Sequence, residues 1–305
     1  MLTRQSLCAW CESALGARVV DVVRRTGHLS QVLVVVLADG RQVVVKVRPF
    51  EPRLRGCVEV QRSLAAGGFP CPAPLAGPDL IDTLAVTAET LADVGVQHGV
   101  ADGAEAFAGL LARLVAAAPA PAAVPSLDPS PPWNGWDHGG AELWPDRDDE
   151  GRNLNRVGGP AWLDRAAADV RRLLRDHRAP DRVGHGDWES QNIRWLDDEA
   201  TAVHDWDSVI AQPEAAIVGF ASAVWTKQGK PDEVASVEQS SAFLDAYERA
   251  AGVRWTRPAR RAAWAAGLWV RLFDAKMEAA SGGGPELDRL SGEVARRLER
   301  AGLPA

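Results

Sequence analysis

Residues 183–208 read V-G-H-G-D-W-E-S-Q-N-I-R-W-L-D-D-E-A-T-A-V-H-D-W-D-S. Two apolar runs, 193–196 and 202–204, flank the turn-like Asp197-Asp198-Glu199, so the middle of the stretch predicts a β-hairpin. A hairpin brings its ends together, which should set the loop 187–192 beside Asp205. Asp187 is then a carboxylate placed to act as a base. Asn192 and Asp205 are hard oxygen ligands of the kind that suits Mg²⁺, an ion that keeps several waters and usually shares its shell with substrate phosphates. An H-G-D or a D-W-D triplet alone occurs on many solvated turns. Here both occur in order, with the Asp-x4-Asn spacing intact, and the functional reading outweighs the bland one.

The rest of the composition bounds what such a site can serve. A chain of 305 residues suits two lobes better than one small core. Hydrophobic content of 46% and charged content of 25% are ordinary for a globular protein. No apolar run is long enough to span a bilayer. Glu12 interrupts the apolar start before a signal-peptide core can form, so a cytoplasmic protein is expected. A net charge of −7 argues against nucleic acid as partner and mildly favours a cationic ligand. The basic residues are almost all arginine; the only lysines are Lys46, Lys227, Lys230 and Lys276, which draws attention to any lysine inside an apolar run. Cys8-Ala-Trp-Cys11 is a C-x-x-C without a second pair, in a helical context, and reads as reduced, buried thiols.

Upstream of the hairpin, strands are expected at 19–23, 32–37 and 43–47, the last two joined by an Asp39-Gly40 turn, a strong hairpin signal. The polar turn 25–30 between the first two strands could cover phosphates, its backbone N–H groups and the Ser30 hydroxyl meeting oxygens; taken alone it is a hairpin loop. Lys46 stands in V-V-V-K-V, where an isolated lysine usually points to solvent. A helix at about 54–66 follows and carries Glu59, which could pair with Lys46 or simply be an exposed acid. After a Pro-rich break at 70–74, a strand at 84–87 leads to Ala88-Glu89-Thr90-Leu91, read as a hinge where backbone groups could meet an adenine edge. Beyond it, Phe107, Leu110, Leu111, Leu114 and Val115 form a helical core stripe. A Pro/Ala-rich linker, 119–132, precedes an odd stretch, 133–155, with Trp133, Trp136 and Trp144 among Asp137, Glu142, Asp146, Asp148, Asp149 and Glu150. Indoles with acids suit a sugar or an amine by stacking and cation–π contact, and equally suit a solvated loop pinned by its tryptophans. Helices are expected at 161–177, 216–225, 237–250, 258–280 and 285–301; Asp274 and Glu278 on the fourth could face an amine or pair with arginine.

Together V-V-V-K-V with Glu59, H-G-D-W-E-S-Q-N and H-D-W-D resemble the aminoglycoside phosphotransferase family, small-molecule relatives of the protein kinases. The resemblance spans about residues 19–225. It implies an α+β, two-lobe protein-kinase-like fold: an N-terminal antiparallel sheet with a helix, residues 1–91, and a mostly helical C-terminal lobe, residues 92–305. It also implies ATP and Mg²⁺, with Lys46 on the α/β-phosphates and Glu59 as its helix partner. Asp187 would be the catalytic base, and Asn192 and Asp205 the metal ligands. The acceptor would be a small molecule with a hydroxyl, an amino sugar or aminoglycoside among them. Gly186 stands where a protein kinase has arginine, and only a few residues separate Asp205 from Pro213-Glu214, so no activation segment fits. Ala215 and Ala216 stand where the family often has an aspartate. Two other readings stay open: a metal hydrolase built on His185, Asp187, His204, Asp205 and Asp207, which leaves Lys46 and Glu59 without a task, and a binding protein that keeps the fold without turnover.

Overall fold

The computed structural model describes residues 2–27, 30–92, 94–96, 103–146, 148, 151–230 and 233–305. Helix α1 (Arg4–Leu15) opens the chain, its first turn capped by Thr3, whose Oγ1 accepts from Ser6 N at 3.1 Å. Strands β1 (Val19–Thr26), β2 (Gln31–Leu37) and β3 (Gln42–Pro49) follow, then α2 (Arg53–Ala66), β4 (Pro74–Ile81) and β5 (Leu84–Thr90). The five strands form one antiparallel sheet in the order β1-β2-β3-β5-β4. Strand β4 is absent from the sequence expectation because Pro74, Gly77 and Pro78 interrupt it. It survives at the sheet edge, with register shifts, where proline is tolerated.

Alternation divides the sheet's side chains. Val43, Val45, Val47, Val86 and Ala88 join Leu7, Trp10 and Cys11 of α1 in one core. Val34, Val44 and Lys46 face the other way, into an inter-lobe cleft. Helix α2 packs differently from what its place in the sequence suggests. Its Cys57, Val60 and Leu64 belong to the large core of the helical lobe, not to the sheet's core. Arg53 anchors it there, its guanidinium donating to the carbonyls of Pro129 at 3.1 Å, Asp207 and Val209.

The second lobe holds α3 (Ala104–Ala117), α4 (Ala161–Asp176), α5 (Glu214–Val224), α6 (Val237–Ala251), α7 (Arg257–Ala280) and α8 (Pro285–Ala301). Between α4 and α5 lie β6 (Asp181–His185), β7 (Ile193–Leu196), β8 (Glu199–Val203) and β9 (Val209–Pro213). Helices α5 and α7 touch backbone to backbone: a Cβ on Gly219 would stand 2.1 Å from the Ala263 carbonyl oxygen, so glycine is required there. The two helices run side by side from there, with Ala223 near the end of α5 beside Gly267 in the middle of α7. Among the described residues no helix is long and apolar enough to cross a membrane.

Candidate active site

Two nested ladders build the H-G-D loop. The expected hairpin forms as β7–β8, turning at Asp197 with φ 52°. Around it, β6 pairs with β9, His185 opposite Val209, and Gly186 N continues the ladder to Ser208 O at 2.7 Å. His204 N donates to Asn192 O at 2.8 Å. The loop 186–192 is thereby closed against 204–208, and Asp187, Asn192 and Asp205 come together. Asn192 Nδ2 donates to Asp187 Oδ2 at 2.8 Å and to its backbone carbonyl at 3.1 Å, which leaves the Asn192 Oδ1 as the side-chain atom able to meet a cation. Asp205 holds φ 60° and ψ 47°, a left-handed conformation uncommon outside glycine and concentrated at functional sites. One amide oxygen and one carboxylate form an all-oxygen donor set that fits Mg²⁺ completed by water and phosphate.

His185 lies behind this loop, fully buried, with the Trp188 and Trp206 rings edge-on to it at 5.8 and 5.6 Å. Its Nδ1 accepts from Asp187 N at 3.1 Å, so Nε2 carries the proton and donates to His204 O at 2.9 Å. Burial pushes its pKa down to about 4 and keeps it neutral. With both ring nitrogens engaged it offers no metal ligand. Among the described residues no group of three or more His, Cys, Asp or Glu side chains is arranged to hold a metal ion, which counts against the hydrolase cluster.

Gly186 has a specific reason to be glycine. A Cβ there would lie 2.2 Å from Asn134 Oδ1, and Asn134 is itself fully buried. Trp133 Nε1 donates to Gly186 O at 3.2 Å. Trp136 donates to Gln212 Oε1 at 3.0 Å, and Trp144 to Asp164 Oδ1 at 2.9 Å; both indoles sit in the core. Asp148 is tied to Arg152 at 2.7 Å. The indole-and-acid stretch is thus a brace behind the catalytic loop rather than a wall of exposed rings. Composition could not separate the two readings, because both need indoles with a polar partner for the N–H. Asp149 and Glu150 lie outside the described residues.

The cleft between sheet and hairpin is lined by Thr26, Gly27, Val34, Val44, Lys46, Glu89, Thr90, Leu91, Asn192 and Asp205, among others. Ser30 is half-buried at the end of its turn and is not among the lining residues. Lys46 meets a different carboxylate from the expected one. Its Nζ lies 2.9 Å from Glu89 Oε1, while Gln61 Nε2 of α2 donates to Glu89 Oε2 at 2.9 Å. Glu59 is exposed. The inward stripe of α2 is Cys57, Val60, Gln61 and Leu64, at i, i+3, i+4 and i+7, and Glu59 falls on the opposite face. Glu89, expected as part of a hinge, lies within β5, and its side chain is buried against Lys46.

Sequence reasoning passed over one group entirely. Glu189, two residues beyond Asp187, is buried and lies 3.2 Å from Lys227 Nζ, which is also 2.8 Å from Asp274 Oδ2. Burial pushes Asp187 and Glu189 both above the usual range; repulsion from Asp205 adds to it at Asp187, and repulsion from Asp187 adds to it at Glu189. Asp274 therefore serves Lys227, and Glu278 accepts from Leu287 N at 2.8 Å, so neither acid stands open to an amine.

These features meet a known pattern. The sequence profile of the phosphotransferase enzyme family (APH) matches residues 22–264. The chain belongs to that family. Solved structures similar to it in shape are remote in sequence and speak to the fold of this phosphotransferase. A choline/ethanolamine kinase family protein from Mesorhizobium loti is 16% identical with a TM-score of 0.59, covering 97% of this chain and 98% of its own. A candidate fructosamine-3-kinase from Thermobifida fusca is 18% identical at 0.58, over 98% and 100%. Spectinomycin phosphotransferase, solved with ADP and spectinomycin, is 12% identical at 0.58, over 97% of each chain. No curated protein matches the chain. The fold is therefore the two-lobe, kinase-like one, and the family supports a small-molecule kinase.

Proposed function

We propose that the chain uses ATP and Mg²⁺ to phosphorylate a hydroxyl of a small molecule, an amino sugar, an aminoglycoside or a similar cationic or sugar-like compound. The observation that carries this reading is the contact of Asp187 with Asn192, beside Asp205, in a loop that opens on the cleft holding Lys46. Residues 1–91 would supply the nucleotide lobe and 92–305 the catalytic and acceptor lobe, with α2 bolted to the latter.

In this scheme Lys46 holds the α- and β-phosphates, and Thr26 and Gly27 face the nucleotide. The hinge contact with adenine falls to the backbone of Leu91 and Ala92, next to Glu89, whose side chain steadies Lys46. Ser30 would close the turn above the phosphates. Asn192 Oδ1 and Asp205 would hold the metal, which when bound neutralises charge on the phosphate oxygens. Asp187 accepts the proton of the acceptor hydroxyl as that oxygen bonds to the γ-phosphorus. The bond from that phosphorus to the β–γ bridging oxygen breaks, and the electron pair leaves with ADP. His185 only shapes the loop, since both its nitrogens are engaged.

The test is nucleotide consumption with ATP–Mg²⁺ against a panel of glucosamine, spectinomycin, hygromycin B, choline and a fructosamine, with the phosphorylated position located by NMR. Phosphorylation of a hydroxyl supports the reading. Binding of nucleotide without turnover on any acceptor would support a silent binding protein instead.

A further inference from the structure

Lys227 is the most heavily engaged lysine near the catalytic loop, and the reaction scheme gives it no task. It follows the last turn of α5, its backbone N donating to Val224 O at 2.9 Å. Its carbonyl accepts from Gln191 N at 3.0 Å, and its ammonium holds Glu189 at 3.2 Å and Asp274 at 2.8 Å. Backbone and side chain of one residue thus grip the catalytic loop at two points and tie it to α7. Exposures of 15% for Lys227 and 8% for Glu189 leave these two little contact with water, while Asp274, at 26%, is the more open end. Gln191 closes it by donating to the remaining Glu189 oxygen.

Place matters as much as contact. The nucleotide cleft is lined by Gln191, Asn192 and Asp205 but not by Glu189, Lys227 or Asp274. In-line transfer needs the attacking oxygen opposite the leaving one, so the acceptor must approach Asp187 from the side away from the nucleotide. The charged members of the array, Glu189, Lys227 and Asp274, lie outside the lining of that cleft, joined to it through Gln191. The array also gathers charge: Asp187, Glu189 and Asp274 are three carboxylates in one region, and Lys227 is the cation set among them.

We propose that Lys227 is a positioning residue for phosphoryl transfer, fixing the acceptor side of Asp187 by pinning the catalytic loop to α7 through Glu189 and Asp274. The proposal rests on the phosphotransferase reading of Asp187. Lys227 need not touch the acceptor. It sets the angle at which Asp187 meets the hydroxyl, and misplacement of a reacting group on the scale of an ångström can cost about a hundredfold in rate.

The experiment compares wild type with Lys227→Met, Lys227→Arg and the double variant Lys227→Met/Glu189→Gln. Thermal unfolding, AMP-PNP–Mg²⁺ affinity by calorimetry, and single-turnover transfer from ATP are measured, both to water and to whichever panel acceptor is phosphorylated. Lys227→Met should lower the transfer rate about ten- to a hundredfold while nucleotide affinity stays within about twofold, and Lys227→Arg should recover most of the rate. Removing Lys227 together with the Glu189 charge leaves only the partly exposed Asp274 without its cation, so it should restore much of the thermal stability yet leave the rate low. A double variant that regains both stability and rate would make Lys227 a stabilising residue only and overturn the proposal, as would a folded Lys227→Met with a wild-type rate. Should Lys227→Met fail to fold, the Arg and double variants still decide. If wild type shows no transfer at all, even to water, the phosphotransferase reading falls and this proposal with it; if wild type is active and only the variant pattern fails, this proposal alone falls.

Discussion

Two lysines flank the catalytic loop, and they are held in different ways. Lys46, on the nucleotide side, has one carboxylate, Glu89, whose second oxygen is taken by Gln61. Lys227, on the other side, has two, Glu189 and Asp274. Their exposures are nearly equal, 13% and 15%, so burial does not separate them. Partner number does. An ammonium held by one carboxylate keeps donors for an arriving phosphate. An ammonium held by two, with its own carbonyl also bonded to the loop, is suited to fixing protein segments. Neither depends on a carboxylate from α2, whose position is set by Arg53 and by the helical lobe's core. The carboxylate that meets Lys46 thus comes from its own sheet, with Gln61 of α2 behind it, and no activation segment lies between Asp205 and α5.

Asp187 lies between the two corners, and changing it should have the largest effect. Asp187→Asn keeps the shape and removes the basic oxygen, so single-turnover transfer should fall about 10²- to 10⁴-fold, the usual span for a general base. AMP-PNP affinity should change much less, because Lys46, Asn192 and Asp205 remain. In wild type the raised Asp187 carboxyl should place the acid limb of kcat/KM above the ordinary carboxylate range, with activity expected to fall as pH drops through it. A folded Asp187→Asn protein with near wild-type transfer would remove this residue from the mechanism.

The next effect is on stability and touches both corners at once, through His185. Its folded pKa of about 4 lies below the ordinary 6.5, so between those values the unfolded chain binds the extra proton. Stability therefore falls as pH drops through that window, by about 3 kcal/mol when complete, at roughly 1.4 kcal/mol per pH unit. Carboxyls whose folded pKa values are raised, such as Asp137 at about 6, work in the opposite direction. Urea midpoints from pH 7 to 4 for wild type and His185→Gln separate the two contributions. The acid-side slope should be shallower in the variant, and equal slopes would show that His185 does not govern acid stability.

How much of this could be read beforehand follows from the same comparison. The H-G-D loop, Asn192 and Asp205 are legible because they lie within 21 residues and one hairpin joins them. The Asp39-Gly40 turn and the stripe of α3 are legible because local periodicity and turn chemistry fix them. The lysine partners are not local. In the register of β3 with β5, Lys46 stands opposite Thr87 and Val44 opposite Glu89, so Lys46 and Glu89 are diagonal neighbours across two strands separated in sequence by α2 and β4. Only knowledge of the strand order would reveal that pair. Lys227 draws on residues 38 positions before it and 47 after it. Its clue was compositional, one of four lysines in an arginine-rich chain. Trp136 and Trp144 left two readings open for another reason: an indole bonded to a polar group looks alike in a binding wall and in a core.

Lys46 comes next in size. Lys46→Met should raise the KM for ATP about ten- to a hundredfold, from loss of charge-assisted bonds worth about 1.5–3 kcal/mol, and lower nucleotide affinity in calorimetry. Glu89→Gln should do less. It keeps the hydrogen-bonding shape but drops the charge that steadies the ammonium, so KM for ATP should rise a fewfold with acceptor KM unchanged. Equal nucleotide affinity in wild type and Lys46→Met would sever the nucleotide corner from Lys46.

The smallest expected effect is the one that separates this protein from the arrangement its sequence suggests. Glu59 is the carboxylate on the helix that follows the lysine strand, and on sequence alone it is the natural partner of Lys46. In the fold it lies on the outer face of α2, away from the stripe that packs inward, and it is exposed. Exposed substitutions away from caps, cavities and buried networks are usually within about ±0.5 kcal/mol. Glu59→Gln should therefore leave the unfolding midpoint, nucleotide affinity and both KM values as they are. Gln61→Leu, two positions on, should not be silent: it removes the donor to Glu89 and to the Pro72 carbonyl at 2.8 Å, leaving a buried carboxylate oxygen without that partner. The pair is read best in parallel, by calorimetry with AMP-PNP–Mg²⁺. A weakened affinity in Glu59→Gln with Gln61→Leu unchanged would mean that α2 turns in solution to present Glu59 to Lys46, and the asymmetry between the two lysine corners would then disappear.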